Sequence, residues 1–216
     1  MTHVSAARSH SECGPTTPFL KLAAARRGHF RLESGHHGAL WLDLDSLFTD
    51  PRRIDPLVSV LADAIRPHGV SAVCGPLLGG AFLAQLVART LDAEFWFTER
   101  VISPGGDALY STRYVLPRIV APRVRDRRVA IVDDVMSAGS ALRGTFAELL
   151  AHGAMPVVAG ALLILGAVGS TFFAEQDVLV IAVERGDYEM WLPASCPLCA
   201  AGVPVEDVTP PAGAAT

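Results

Sequence analysis

Apolar positions recur along the chain with two periods, and stretches of the two kinds alternate. Ala39-Leu40-Trp41-Leu42-Asp43-Leu44 reads as a strand entered from the turn Ser34-Gly35-His36-His37-Gly38. Asp55-Pro56 reads as a helix N-cap followed by proline at the first helical position; Leu57, Val58, Leu61 and Ile65 then share one face and Gly69 is the stop. A short buried strand, Ser71-Ala72-Val73-Cys74, ends in Gly75-Pro76-Leu77-Leu78-Gly79-Gly80, and the next helix turns Leu83, Leu86, Val87 and Leu91 inward. A strand at residues 94–98 precedes a stretch without clean period, 101–122, expected to hold a short strand at 109–115. Arg128-Val129-Ala130-Ile131-Val132 is continuous enough to be buried on both faces, as parallel-sheet strands are. It leads through Ser137-Ala138-Gly139-Ser140 into a helix with the stripe Leu142, Phe146, Leu149 and Leu150 and the stop Gly153. Strands at 157–165 and 178–183 flank a helix near 171–176. Such alternation predicts an α/β fold around a parallel sheet, with ligands at the carboxyl ends of its strands.

Composition narrows the function classes. Half of the 216 residues are hydrophobic, enough for one core without metal or disulfide staples. Residues 1–16 and 203–216 have few large apolar side chains and read as loose tails. The longest apolar run, 155–169, is broken by Pro156, Gly160 and Gly166 and falls short of a bilayer, so it predicts a buried strand and no membrane partner. A net charge of −4 offers no field for coating a nucleic acid. Four cysteines, at 13, 74, 196 and 199, make no disulfide framework and no secretory leader is recognisable, which points to the cytoplasm. Of 18 cationic side chains, 17 are arginine; Lys21 is the only lysine, and no mechanism needing a lysine elsewhere is open to this chain.

The segment richest in chemistry is Val132-Asp133-Asp134-Val135-Met136-Ser137-Ala138-Gly139-Ser140. A buried strand delivers two adjacent carboxylates to the ligand edge, and the small-residue turn behind them presents backbone N–H groups at a helix N-terminus, a cradle for phosphate. Vicinal sugar hydroxyls and a phosphate can thus be held about one ribose apart. The rivals that also end a strand in acids lack their other parts. No G-x-x-x-x-G-K-[ST] or G-x-G-x-x-G is present, and a phosphoacceptor receiver would need a late lysine.

These residues resemble the phosphoribosyl pyrophosphate signature of the type I phosphoribosyltransferases, and the chain is most similar to the orotate phosphoribosyltransferases among them. Leu32-Glu33-Ser34-Gly35-His36-His37-Gly38-Ala39-Leu40-Trp41-Leu42-Asp43 looks like that group's base-binding segment, and Gly75-Pro76-Leu77-Leu78-Gly79-Gly80 like its pyrophosphate loop. The resemblance implies a hood, residues 17–50, over a core at 51–202, and a homodimer. It also implies transfer of 5-phosphoribosyl from phosphoribosyl pyrophosphate to a nucleobase with Mg²⁺. Asp133 and Asp134 would hold the ribose, while Val135, Met136, Ser137, Ala138, Gly139 and Ser140 hold the 5-phosphate. Pro76, Leu77, Leu78, Gly79 and Gly80 would contact pyrophosphate, and Glu33 and Trp41 the base. Where the family usually carries lysines, this chain has Glu33, Leu78, Glu99-Arg100 and the lysine-free Val101-Ile102-Ser103-Pro104-Gly105-Gly106. A carboxylate at Glu33 would repel that of orotate, and Arg100 could clamp pyrophosphate bidentately but is a poor proton donor. Residues 101–110 would close over the site as a lid. The lost lysines leave open a second reading, a non-catalytic sensor of phosphoribosyl pyrophosphate or a nucleotide.

Cys196-Pro197-Leu198-Cys199 is half of a zinc knuckle. A tetrahedral site would need two further ligands, from a partner subunit's pair or a nearby histidine; otherwise both are free thiols. His36 and His37 are expected to line an exposed loop.

Overall fold

The computed structural model describes residues 17–32, 35–102, 112–187 and 189–207. In chain order the elements are α1 (Pro18–Leu22), β1 (Arg26–Arg31), β2 (His37–Trp41), α2 (Pro51–Ile65), β3 (Ala72–Pro76), α3 (Gly79–Leu91), β4 (Glu94–Ile102), β5 (Thr112–Val115), β6 (Arg128–Met136), α4 (Ser140–Ala151), β7 (Met155–Leu165), α5 (Val168–Glu175), β8 (Leu179–Gly186), β9 (Met190–Trp191), α6 (Pro197–Ala200) and β10 (Glu206–Asp207). Six strands form the main sheet in the order β5-β4-β3-β6-β7-β8. Its pairs from β4 through β8 are parallel, and only the β4–β5 hairpin is antiparallel.

The doubly apolar strands explain this arrangement. Ala130 and Val132 of β6 face one way and pack with Ile54, Leu61, Leu83 and Val87 of α2 and α3. Val129 and Ile131 face the other way and meet Leu142, Phe146, Leu149 and Phe173 of α4 and α5. A strand covered by helices on both sides has no polar face, so its sequence reads as an unbroken run. No helix among the described residues is long and apolar enough to cross a membrane.

Several expected boundaries move. Helix α2 begins at Pro51, where the Asp50 carboxylate accepts from the backbone N–H of Arg52 at 3.2 Å. Asp50-Pro51 is thus the true cap pair, and Pro56 lies inside the helix. The hydrogen bond that Pro56 cannot give falls on the helix's exposed side, where water can satisfy the carbonyl. Gly69 is the predicted stop, left-handed at φ 58° after a single 3₁₀ turn. Leu150, expected on the buried stripe of α4, is 47% exposed. Of the expected lid, Val101 and Ile102 belong to β4, and residues 103–111 lie outside the described residues.

The larger correction concerns the chain ends. A second, four-stranded sheet in the order β10-β1-β2-β9 draws its outer strands from the C-terminal region. Strand β1, which no apolar alternation announced, pairs antiparallel with β2 and parallel with β10. The region from β9 to β10 therefore packs with the N-terminal hood, across the division drawn at residue 202, and Glu206–Asp207, expected in a loose tail, form a strand of this sheet. The Arg26 guanidinium pairs with Glu206 at 2.6 Å across it.

Helix α1 is fixed to the main sheet by one acid. Glu184 of β8 accepts from the backbone N–H of Phe19 at 2.8 Å and from the Thr17 hydroxyl, while the Phe19 ring is fully buried. Glu184→Ala should leave an N–H and a hydroxyl at the start of α1 unpaired and cost about 1–3 kcal/mol. Differential scanning calorimetry should show a Tm lower by several degrees; an unchanged Tm would mean that Glu184 does not hold α1 in place.

Candidate active site

β6 runs four residues further than its apolar core, to Met136, and so carries Asp133 and Asp134 to the carboxyl edge of the sheet. Consecutive strand residues leave on opposite faces. Asp134 follows Val132 toward α3 and the hood; Asp133 follows Ile131 toward β5, where its charge is felt by the Tyr114 phenol and helps raise that group's pKa, second to burial and against the pull of Arg100. Asp133 accepts from the backbone N–H of Asp134 at 3.1 Å, and Asp134 from that of Val135 at 2.7 Å. Burial and the neighbouring Asp134 charge hold the Asp133 carboxyl well above the ordinary range, and burial, with a further push from Asp45, raises that of Asp134.

The loop between β3 and α3 comes against this pair. A methyl group at Gly79 would stand 2.1 Å from Asp134 Oδ2, and one at Gly80 would stand 2.7 Å from Asp133 Oδ1. At Gly75 it would stand 2.0 Å from the Gly80 carbonyl oxygen. Gly75 has no room for a side chain because the Gly80 backbone fills the space, and at Gly79 and Gly80 the Asp134 carboxylate, the Asp133 carboxylate and the Pro76 ring fill it. Pro76 ends β3 in the buried interior, the Leu77 N–H donates to the Thr98 carbonyl at 2.9 Å, and Leu78 is 65% exposed at the mouth of the cleft.

On the other side of the pair lies the small-residue turn. Gly139 takes a left-handed conformation, φ 72°, and α4 starts at Ser140. The Ser137 carbonyl accepts from the Gly169 N–H at 3.1 Å and the Gly139 carbonyl from the Arg143 N–H at 2.8 Å. Among the described residues the N–H groups of Ser137, Ala138 and Gly139 have no protein acceptor. Met136 is buried beneath the turn, and Gly169 lets α5 press close: a methyl there would meet the Ser137 carbonyl at 2.8 Å.

Between these parts is a cleft of about 560 Å³, walled by Leu32, Leu40, Trp41, Phe48, Leu78, Phe82 and Leu165, with Asp43, Asp45, Asp134, Val135, Gly79 and Ser137 among its remaining lining. Among the described residues its polar side chains are acids and one hydroxyl, with no cation. The apolar walls come from both sheets, so the hood closes a slot above the acidic edge.

Of the residues singled out from sequence, Trp41, Leu78, Gly79, Asp134, Val135 and Ser137 meet in this cleft, with Asp133 and Gly80 directly behind. Arg100 is not part of its wall; it stands exposed on β4 opposite Tyr114. Glu33 lies outside the described residues. The arginines after β5 are largely architectural: Arg123 pairs with Glu94 at 2.7 Å, and Arg128 donates to the His68 carbonyl at 2.8 Å. Sequence reasoning named Asp43 only as the end of the base-binding segment and missed Asp45, Phe48, Phe82 and Gly169; the alternating acids of Asp43-Leu44-Asp45 were the one available signal.

The histidine expectation is corrected. His37 is not on an exposed loop but begins β2, 5% exposed, with its Nδ1 at 2.9 Å from His29 Nε2 and 3.3 Å from Cys199 Sγ. Cys196, 3% exposed, places its Sγ 3.4 Å from His29 Nε2. Cys74, in contrast, is isolated in the core, where burial drives its thiol pKa far up.

The sequence of residues 56–186 matches the phosphoribosyl transferase domain. The chain belongs to the phosphoribosyltransferase family. It is 30% identical over 186 residues to orotate phosphoribosyltransferase of Thermotoga maritima, covering 86% of this chain and 92% of that one. It is 33% identical over 189 residues to the orotate phosphoribosyltransferase of Carboxydothermus hydrogenoformans, covering 87% and 92%. Among solved structures, orotate phosphoribosyltransferase from Aeropyrum pernix superimposes with a TM-score of 0.61 at 22% identity, over 76% of this chain and 89% of that one. Adenine phosphoribosyltransferase from Thermoanaerobacter pseudethanolicus gives 0.56 at 16% identity, over 68% and 88%. Identities this low show the shared fold.

The paired carboxyls make a thermodynamic prediction for this phosphoribosyltransferase. Their folded-state pKa values are raised, so the folded chain holds protons more tightly than the unfolded one; ionising the pair costs stability, and that cost grows as pH rises above about 3.9, the unfolded value. Asp133→Asn keeps an oxygen to accept the Asp134 N–H and removes one charge. The ligand-free variant should melt above the wild type at neutral pH, with a margin that narrows toward pH 4. An equal or lower Tm at neutral pH would show that the repulsion is relieved in some other way.

Proposed function

We propose that this phosphoribosyltransferase transfers the 5-phosphoribosyl group of phosphoribosyl pyrophosphate to a ring nitrogen of orotate, releasing pyrophosphate. The observation that carries the reading is the joining of three parts at one strand end: the buried Asp133-Asp134 pair, the glycine loop against it and the open N–H groups of the Ser137–Gly139 turn. The relatives named for orotate, similar over most of the chain, supply the choice of base.

In this scheme the C1–O bond to pyrophosphate breaks, the C1–N bond to the base forms, and the ring N–H proton of the base passes to the departing pyrophosphate or to water. Positive charge grows on C1 and the ring oxygen between bond breaking and bond forming. Carboxylates that accept from the 2- and 3-hydroxyls place negative charge beside that centre, where little water screens it. The turn N–H groups hold the 5-phosphate at the N-terminal end of α4, and the backbone from Leu77 to Gly80 faces the pyrophosphate. Trp41, Leu40 and Phe48 provide flat apolar surface for a base and keep water from C1. Pyrophosphate can leave as an anion, so the absence of a lysine proton donor does not block departure.

The donor set fits Mg²⁺. Among the described residues the cleft is lined by carboxylates and no cation, and both substrates are anionic, so the carboxylates of this edge, with the ribose-gripping Asp133 and Asp134, would help hold a hard divalent ion together with the bound substrate. When bound it would offset the charge accumulating on the leaving pyrophosphate.

The direct experiment is pyrophosphate release from phosphoribosyl pyrophosphate and Mg²⁺ with orotate, uracil, adenine, hypoxanthine, guanine and xanthine in turn. Turnover with orotate alone is expected. Turnover with another base would replace the acceptor, and ligand binding without turnover of any base would overturn the enzymatic reading in favour of a sensor. Replacing both Asp133 and Asp134 by Asn should lower kcat/KM by at least about 10²-fold, since two groups that stabilise developing charge are lost. Gly79→Ala should also lower it, through the clash with Asp134, while leaving the far-ultraviolet circular dichroism unchanged; full activity in Gly79→Ala would separate the loop from the acidic pair.

A further inference from the structure

The small sheet holds a cluster that phosphoribosyl transfer does not use. His29 of β1, His37 of β2 and the Cys196–Cys199 pair around α6 bring one ligand atom each to a common point, all four within 4.8 Å of one another. The separations are 2.9 Å from His29 Nε2 to His37 Nδ1, 3.4 Å from His29 Nε2 to Cys196 Sγ, 3.7 Å from His29 Nε2 to Cys199 Sγ and 3.3 Å from His37 Nδ1 to Cys199 Sγ. A tetrahedral ion with metal–nitrogen bonds of about 2.0–2.1 Å and metal–sulfur bonds of about 2.3 Å has ligand–ligand edges of about 3.3–3.8 Å. The three nitrogen–sulfur separations fall among those edges, and the histidine pair is tighter.

We propose that His29, His37, Cys196 and Cys199 bind one Zn²⁺ as a structural site. Two further observations support it. The Nδ1 of His29 lies 2.8 Å from the Val203 carbonyl, an acceptor only, so Nδ1 carries the proton and Nε2 offers its lone pair to the cluster. His29, His37 and Cys196 are each at least 95% buried, so water is kept from three of the four ligand positions, as in closed structural zinc sites. Two nitrogens and two sulfurs, with no carboxylate among them, favour zinc over the hard Mg²⁺ of the catalytic cleft. All four ligands come from one chain, so no second subunit is needed to complete the tetrahedron.

The site explains why the C-terminal segment stays with the hood. Strands β9 and β10 have two residues each and make few ladder bonds, yet they flank the hairpin that carries Leu40 and Trp41 into the cleft. An ion bound by one pair of ligands from the hairpin and one from the loop between β9 and β10 ties the two together, so its loss should loosen a wall of the base site without touching Asp133 or Asp134.

The test is metal content and spectroscopy on the full chain. Protein produced in zinc-supplemented medium should hold one Zn²⁺ per chain by plasma mass spectrometry. Co²⁺ titrated into chelator-treated protein should give the intense visible bands of tetrahedral cobalt and a thiolate charge-transfer band, saturating at one equivalent. Cys196→Ala should lose the metal, and Cys196→His, which restores a ligand, should regain it; Asp133→Asn should retain it. Because a cysteine variant can fail to fold, the cobalt spectrum of the unaltered chain decides independently. Octahedral cobalt without the sulfur band, or far less than one zinc per chain, overturns the proposal. So does Cys199 reacting with a thiol reagent equally fast before and after Zn²⁺ is added.

Discussion

Two carboxyl groups on consecutive residues, both withdrawn from water, set the terms for the architecture around the cleft. A strand can carry Asp133 and Asp134 to its end only if the main chain pays part of their desolvation, and the N–H groups of Asp134 and Val135 do so at 3.1 and 2.7 Å. Their remaining lone pairs lie against a loop where glycine alone fits, which keeps hydrocarbon from covering them. The protein therefore stores an unfavourable charge arrangement at its ligand edge, and a polyhydroxylated cationic centre is the kind of group that relieves it.

The rest of the cleft extends the same electrostatic logic. Asp43 and Asp45 add negative charge at the mouth, and among the described residues no cation lines it, although the chain has 17 arginines. Several of those arginines support the framework, as in the Arg123 and Arg127 contacts to Glu94. The acidic lining is the feature on which the proposed Mg²⁺ rests.

The hood depends on contacts distant in sequence. Glu184 anchors α1 to the main sheet, Glu206 anchors β1 through Arg26, and the histidine–cysteine cluster joins the hairpin to the C-terminal segment. Each joins residues more than 150 positions apart.

What the sequence by itself determined was the local and periodic part. The apolar runs of β6 and β7, the faces of α2 and α3, the left-handed stops at Gly69 and Gly153 and the Asp-Asp strand end followed by Ser-Ala-Gly-Ser all follow from properties of neighbouring residues. The acidic strand end was therefore legible, and with it the family. Tertiary structure decided what depends on distant partners. β1, whose sequence Arg-Arg-Gly-His-Phe-Arg has no alternation, forms because β2 and β10 supply its hydrogen bonds. Asp50 rather than Asp55 caps α2, although both precede proline, since nothing local separates them and the longer helix buries Ile54. His29 joins His37 and the cysteines only through a hairpin and a C-terminal return, and spacing along the chain carries no record of that closure.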